Sequence, residues 1–115
     1  MAQLIVNRQT IAGEISAKPI WGREPLPWMM VVIRTYARVW DRFGNVTQVK
    51  VHERVVVQGT VNLKKIAPRM VLGVSVFAAG QRVPASAAGP DVKGDVLLAD
   101  VFNIIEEADH HGTQG

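Results

Sequence analysis

Apolar and polar residues alternate along this chain in short runs, separated by breaks rich in glycine and proline, which is the pattern of strands rather than helices. The most regular run is Val31–Lys50, V-V-I-R-T-Y-A-R-V-W-D-R-F-G-N-V-T-Q-V-K. Side chains alternate across a strand, so Val31, Ile33, Thr35, Ala37 and Val39 share one face and Arg34, Tyr36, Arg38 and Trp40 share the other. The first face reads as core. The second interleaves cations with aromatics, the composition of a surface that holds phosphates and stacks bases.

The same reading gives five strands and one short helix. A first strand is expected over about 10–18, with Gly13 marking a bulge or bend. The following K-P-I-W-G-R-E-P-L-P-W holds three prolines and reads as loop throughout. A second strand is expected over about 29–40, D-R-F-G-N as its turn, and a third over about 47–59. Leu63, Ile66 and Met70 have helical spacing, with Asn62 as a candidate cap and Pro68 as the limit, so a helix is expected over about 62–67. A fourth strand over about 74–79 and a last one over about 96–105 enclose a long Pro/Gly/Ala loop. The fold class expected is all-β: a five-stranded OB-fold, a Greek-key barrel with a short helix between its third and fourth strands, which binds oligonucleotides across strands two and three.

A hairpin centred on Gly44 sets Arg38 opposite Lys50, Tyr36 opposite His52 and Arg34 opposite Arg54. Both strands then direct basic groups to one side even if the register slips by two. Like charges directly opposite repel, and a polyanion relieves such a cluster. Glu53 is the exception, since its parity places it on the core side, where it needs a bulge or a partner.

Charge distribution supports this reading more than net charge does. The 115 residues carry a net +3, but residues 1–90 hold 12 Lys/Arg against 4 acids, and residues 91–115 hold 1 against 6. A basic body suits a polyanion. There is no cysteine, which removes disulfides, thiolate catalysis and cysteine-based zinc sites. No apolar run approaches the roughly 18 residues a bilayer span requires, and the first residues do not read as a signal peptide. No catalytic or phosphate-loop motif appears, and His110-His111 is a metal pair without further ligands. The expectation is a non-enzymatic, soluble protein of the cytoplasm, associated with the nucleoid and requiring no cofactor or metal.

Five pieces in order resemble the bacterial-type single-stranded DNA-binding protein family: T-I-A-G-E-I-S-A-K-P at 10–19, V-V-I-R-T-Y-A-R-V-W-D-R-F-G-N at 31–45, H-E-R-V-V-V-Q-G at 52–59, L-G-V-S-V-F-A-A-G at 72–80 and D-V-L-L-A-D-V-F-N-I-I at 95–105. The resemblance implies an OB-fold, sequence-independent binding of single-stranded DNA, no catalysis and homo-oligomerisation. It places Trp40 at the family's stacking Trp and Arg54 at its third-strand Arg. His52 stands where the family has a Trp and Gln58 where a Phe often contacts DNA. The hairpin between the last two strands has no aromatic. The chain ends H-H-G-T-Q-G, without the acidic Pro-Phe tip through which the family recruits partners, so tail-mediated recruitment is not expected and a divergent, phage, plasmid or accessory member is.

The expectation is therefore one OB domain over 1–106, with 1–9 as an N-terminal arm and 107–115 as a short disordered polar tail. Its function would be single-stranded DNA binding in replication, recombination or repair. The binding residues would be Arg34, Tyr36, Arg38, Trp40, Arg42, Lys50, His52, Arg54 and Trp28. The apolar Leu4–Val6 segment favours a dimer or tetramer. Two alternatives remain: an OB-fold module docking a protein in a replication or recombination assembly, and an RNA-binding OB domain.

Overall fold

The computed structural model describes residues 8–24 and 26–106; the Leu4–Val6 segment, the 107–115 tail and His110-His111 lie outside these. Among the described residues there are six strands: β1 (Arg8–Ile15), β2 (Ile20–Gly22), β3 (Trp28–Trp40), β4 (Val46–Gln58), β5 (Ser75–Pro84) and β6 (Asp95–Glu106). The helix α1 (Thr60–Ile66) lies between β4 and β5, and a single turn, α2 (Ala85–Ala88), between β5 and β6. The strand order β1-β5-β6-β4-β3, with β3 returning to β1, closes a five-stranded barrel. Its neighbours are antiparallel except β4 and β6, which run parallel through Val55–Leu97, Val56–Leu98 and Val57–Ala99. This is the expected OB-fold.

Barrel closure follows from where side chains are small. A Cβ on Gly13 would sit 2.1 Å from the Arg34 carbonyl oxygen and 3.0 Å from Ile33 Cγ2. β1 can therefore lie against β3, which it meets at Glu14–Arg34 and Ile15–Ile33 while still paired with β5. The β1–β5 register runs through Gly13 without a break, so this glycine permits a close approach rather than a bulge.

The alternating apolar positions fill the interior. Ile11, Ile15, Met29, Val31, Ile33, Val55, Val57, Val76 and Leu97 form the main cluster, and Leu63 of α1 and Met70 after it plug the end. Each such side chain contributes roughly 1.5–3 kcal/mol on burial. α1 begins two residues earlier than expected, with Gly59 in the capping position, so Asn62 lies within the helix instead of capping it. A second cluster forms outside the barrel, where Ala85 and Ala88 of α2 cover Trp28, Met30, Val56 and Val96.

Several boundaries differ from the sequence reading. β1 starts at Arg8, within the expected arm; Arg8 reaches Asp100 of β6 through two hydrogen bonds of 2.7 Å, which hold the Asp100 carboxyl below the usual carboxylate range. Ile20–Gly22 is an edge strand on β3, although its prolines suggested loop. Prolines flank it rather than interrupt it, and an edge strand tolerates that. β5 continues to Pro84, and α2 replaces part of the expected loop.

The largest departure is the core face of the central hairpin. β3 and β4 pair over all thirteen residues of each, but β1 meets β3 only at Ile33 and Arg34, midway along it, and β6 meets β4 only over Val55–Val57. From Arg34 and His52 outward the hairpin is a two-stranded arm. Val31 and Ile33 are buried as expected, whereas Val39 is 46% exposed and Val49 is also exposed: alternation gives the parity of a residue, not whether a second layer covers it.

Candidate nucleic-acid interface

The arm is closed by a loop whose chemistry is local. Asp41 accepts hydrogen bonds from the backbone N–H of Phe43 (2.8 Å) and Asn45 (2.9 Å) and from Asn45 Nδ2 (3.1 Å). Gly44 N–H donates to the Asp41 carbonyl, and Gly44 takes φ 84°, the left-handed conformation that completes the five-residue loop 41–45. The backbone N–H donors keep the Asp41 carboxyl below its ordinary range, the Asn45 N–H being the largest contributor.

This loop closes on Trp40–Val46 and centres on Phe43, one residue before the expected centre at Gly44. Every partner therefore moves by two. Arg34 faces His52, Tyr36 faces Lys50, Arg38 faces Gln48, and Arg54 faces Val32. Parity is retained, so the basic and aromatic side chains share one face. The direct like-charge pairs of the expected register do not occur, because each cation sits opposite a neutral or imidazole side chain. Interleaving limits repulsion, so opposed like charges do not by themselves call for a polyanion here.

The nine nominated residues fall into distinct environments. Trp40 is 66% and Tyr36 55% exposed, with their rings available. Arg38 and Lys50 have no hydrogen-bond or ion-pair partner among the described residues. Arg42 at the loop lies over the Phe43 ring, 5.9 Å from its centroid, a cation–π contact. His52 is exposed.

Three others are engaged within the molecule. Arg34 donates to Glu14 Oε1 at 2.5 Å across the β1–β3 seam. Arg54 donates through Nη2 to the carbonyls of Lys93 (2.6 Å) and Asp95 (3.2 Å), holding the turn into β6. Trp28 is only 7% exposed, and its indole N–H donates to the Glu24 carbonyl at 2.9 Å. Trp28 thus belongs to the second core cluster and leaves the stacking platform. Its partner Gln58, also on this side, donates to the Ala88 carbonyl at 3.0 Å and anchors α2. The α2 roof confines the open face to the outer half of the hairpin.

Glu53 has the partner its parity required: Arg82 Nη1 lies 3.0 Å from Glu53 Oε1, and Arg82 also donates to Gln9 Oε1. The β3–β4 register passes Glu53 without a bulge. Glu14 is the counter-charge that sequence reasoning missed, since its contact with Arg34 depends on barrel closure. Phe43, 79% exposed at the apex, adds a third open ring near Trp40.

No family model and no curated protein matches the sequence. Solved structures do match in fold. The small single-stranded DNA-binding protein from Streptomyces coelicolor aligns at TM-score 0.65 and 14% identity, over 89% of this chain and 95% of that one. A Plasmodium falciparum SSB in complex with ssDNA aligns at TM-score 0.66 and 15% identity, over 92% and 98%. A deletion mutant of the single-stranded DNA binding protein from Thermus aquaticus aligns at TM-score 0.70 and 17% identity, over 88% of this chain; this chain spans about half of it, 51%.

Proposed function

We propose that this protein binds single-stranded DNA with little sequence preference, through the outer half of the β3–β4 hairpin. The observation that carries the reading is the coincidence of open aromatic rings, Tyr36 and Trp40, with the cations Arg38 and Lys50, unpartnered among the described residues, on one face. Stacking on π-faces tolerates any base, and cations beside the rings neutralise the backbone. The fold likeness to proteins described as binding single-stranded DNA supports the same reading. Arg42, His52 and Phe43 extend the surface around the apex. Arg34 serves as a secondary phosphate contact, because it must share its guanidinium with Glu14. Arg54 acts by positioning the turn into β6.

On this reading the protein is a binding factor of replication, recombination or repair, located with the DNA, and not an enzyme. It works as a dimer or tetramer, which sedimentation with and without oligonucleotide tests directly. No helix among the described residues is long and apolar enough to cross a membrane.

Titration with oligo(dT) while monitoring tryptophan fluorescence tests the site. Quenching at low salt is expected, and a Trp40→Phe variant should lose most of it. Unquenched emission from the parent protein at low salt would reject the stacking role. A matched RNA oligomer in parallel separates DNA from RNA preference, which stacking alone does not set.

A further inference from the structure

Trp21 lies at the other end of β3 from the arm. It is the middle residue of β2 and pairs with Met29, eleven residues before Trp40, about 36 Å along the strand. It is 49% exposed and forms the shared wall of two shallow depressions. One, of about 640 Å³, is floored by Leu63 and Ala67 of the helical segment. The other, of about 660 Å³, is floored by Met70 and Leu72. Val71 and Leu72 are also exposed. Scattered exposed apolar residues are ordinary, but a joined patch around a tryptophan marks an interaction surface.

Among the described residues that line the two depressions the charged ones are all cations: Arg23 and Lys64 in the first and Lys18 in the second. None of the three cations has a hydrogen-bond or ion-pair partner among the described residues. The apolar Leu63, Ala67, Met70 and Leu72 suit alkyl or aromatic side chains, and of the hydrogen-bonding side chains lining the depressions (Thr60, Trp21, Lys18, Arg23 and Lys64) all but Thr60 can only donate, which suits carboxylates.

We propose that this face docks an acidic peptide segment carrying at least two bulky apolar side chains, one on each side of Trp21, with its carboxylates against Lys18, Arg23 and Lys64. The distance from the arm lets peptide and nucleic acid be held together. The proposal stands independently of the nucleic-acid reading, since it uses none of the same residues.

The probe is a fluorescein-labelled synthetic peptide of aspartate and glutamate with two phenylalanines four positions apart, followed by anisotropy on the full chain. Saturable binding is expected, with affinity reduced tenfold or more by Trp21→Ser and by Lys64→Glu and unchanged by Trp40→Ser. Peptides with serine in place of phenylalanine, or lysine in place of the acids, should bind at least tenfold more weakly. Lys64→Glu, on an exposed position of the helix, keeps the test decisive if Trp21→Ser fails to fold. Absence of saturable binding, or equal binding of the serine peptide, overturns the proposal. So does a tenfold loss of oligo(dT) affinity in Lys64→Glu, which would assign the face to nucleic acid, or a change in its sedimentation, which would assign it to a second copy of this chain.

Discussion

Arg38 and Arg34 are the same residue type on the same face, four positions apart, yet their surroundings predict different behaviour. Arg38 has no counter-charge among the described residues, whereas Arg34 is already held by Glu14. Each phosphate neutralised on a single strand contributes about 0.7 to the slope of log affinity against log salt. Arg38→Ala and Lys50→Ala should each lower that slope by about 0.7; Arg34→Ala should lower it by clearly less, as measured by oligo(dT) titrations across a salt series. Equal slopes for all three would mean that Glu14 does not compete. The tryptophans divide similarly. Trp40→Ala should cost about 1–3 kcal/mol of binding per stacked base with little effect on melting. Trp28→Ala should cost about 3–5 kcal/mol of stability, read in denaturant unfolding, because it empties the cluster beneath α2. The sequence assigned these two residues the same parity, correctly; α2 and the β2 segment around Trp28 separate a buried ring from an open one.

At the level of elements, the arm depends on its loop. The Asp41 carboxylate collects the N–H groups that fix the apex, and its folded-state pKa is depressed by them. The sign follows from that depression: the contribution is complete above the unfolded value, about 3.9, and is lost as pH falls through the lower folded value. The amide resonances of Phe43 and Asn45 should therefore hold constant from neutral pH down to that value and shift only below it in an NMR titration. A midpoint above it would contradict the loop geometry. Asp41→Ala should release the apex and weaken oligo(dT) binding without lowering the barrel's melting temperature, since the arm lies beyond the core. The strands, the helix and the shared face of β3 and β4 were legible from alternation and turn residues. The register was displaced by two because the turn was centred on Gly44, the residue with left-handed freedom, while Asp41 sets the closing pair. β2 and α2 are not legible in the sequence because three residues between prolines and four within a Pro/Gly/Ala stretch carry too little periodicity. The exposed underside of the arm is not legible for a different reason: coverage by a third strand is a property of the barrel, not of the hairpin.

The whole molecule turns on how β1 closes the barrel, and Gly13 tests it by the sign of an effect. Glycine inside a strand is ordinarily a weakness, and replacing it with alanine reduces the entropy of the unfolded chain, stabilising by about 0.4–1 kcal/mol where space allows. Here the added Cβ would lie 2.1 Å from the Arg34 carbonyl oxygen, a backbone atom that cannot rotate away. β1 or β3 must shift, and forced overpacking costs about 1–3 kcal/mol. Gly13→Ala is expected to lower the melting temperature by several degrees, on the scale of about 4–8 °C per kcal/mol for a domain near this size. Separation of the seam should also loosen the Glu14–Arg34 pair, leaving Arg34 freer to meet a phosphate. The salt slope of Gly13→Ala for oligo(dT) should then rise toward that expected if Arg34 contributed fully, even as stability falls. A more stable variant would mean that β1 does not press on β3 as described. A destabilised variant with an unchanged slope would keep the closure and remove the link between the seam and the binding face.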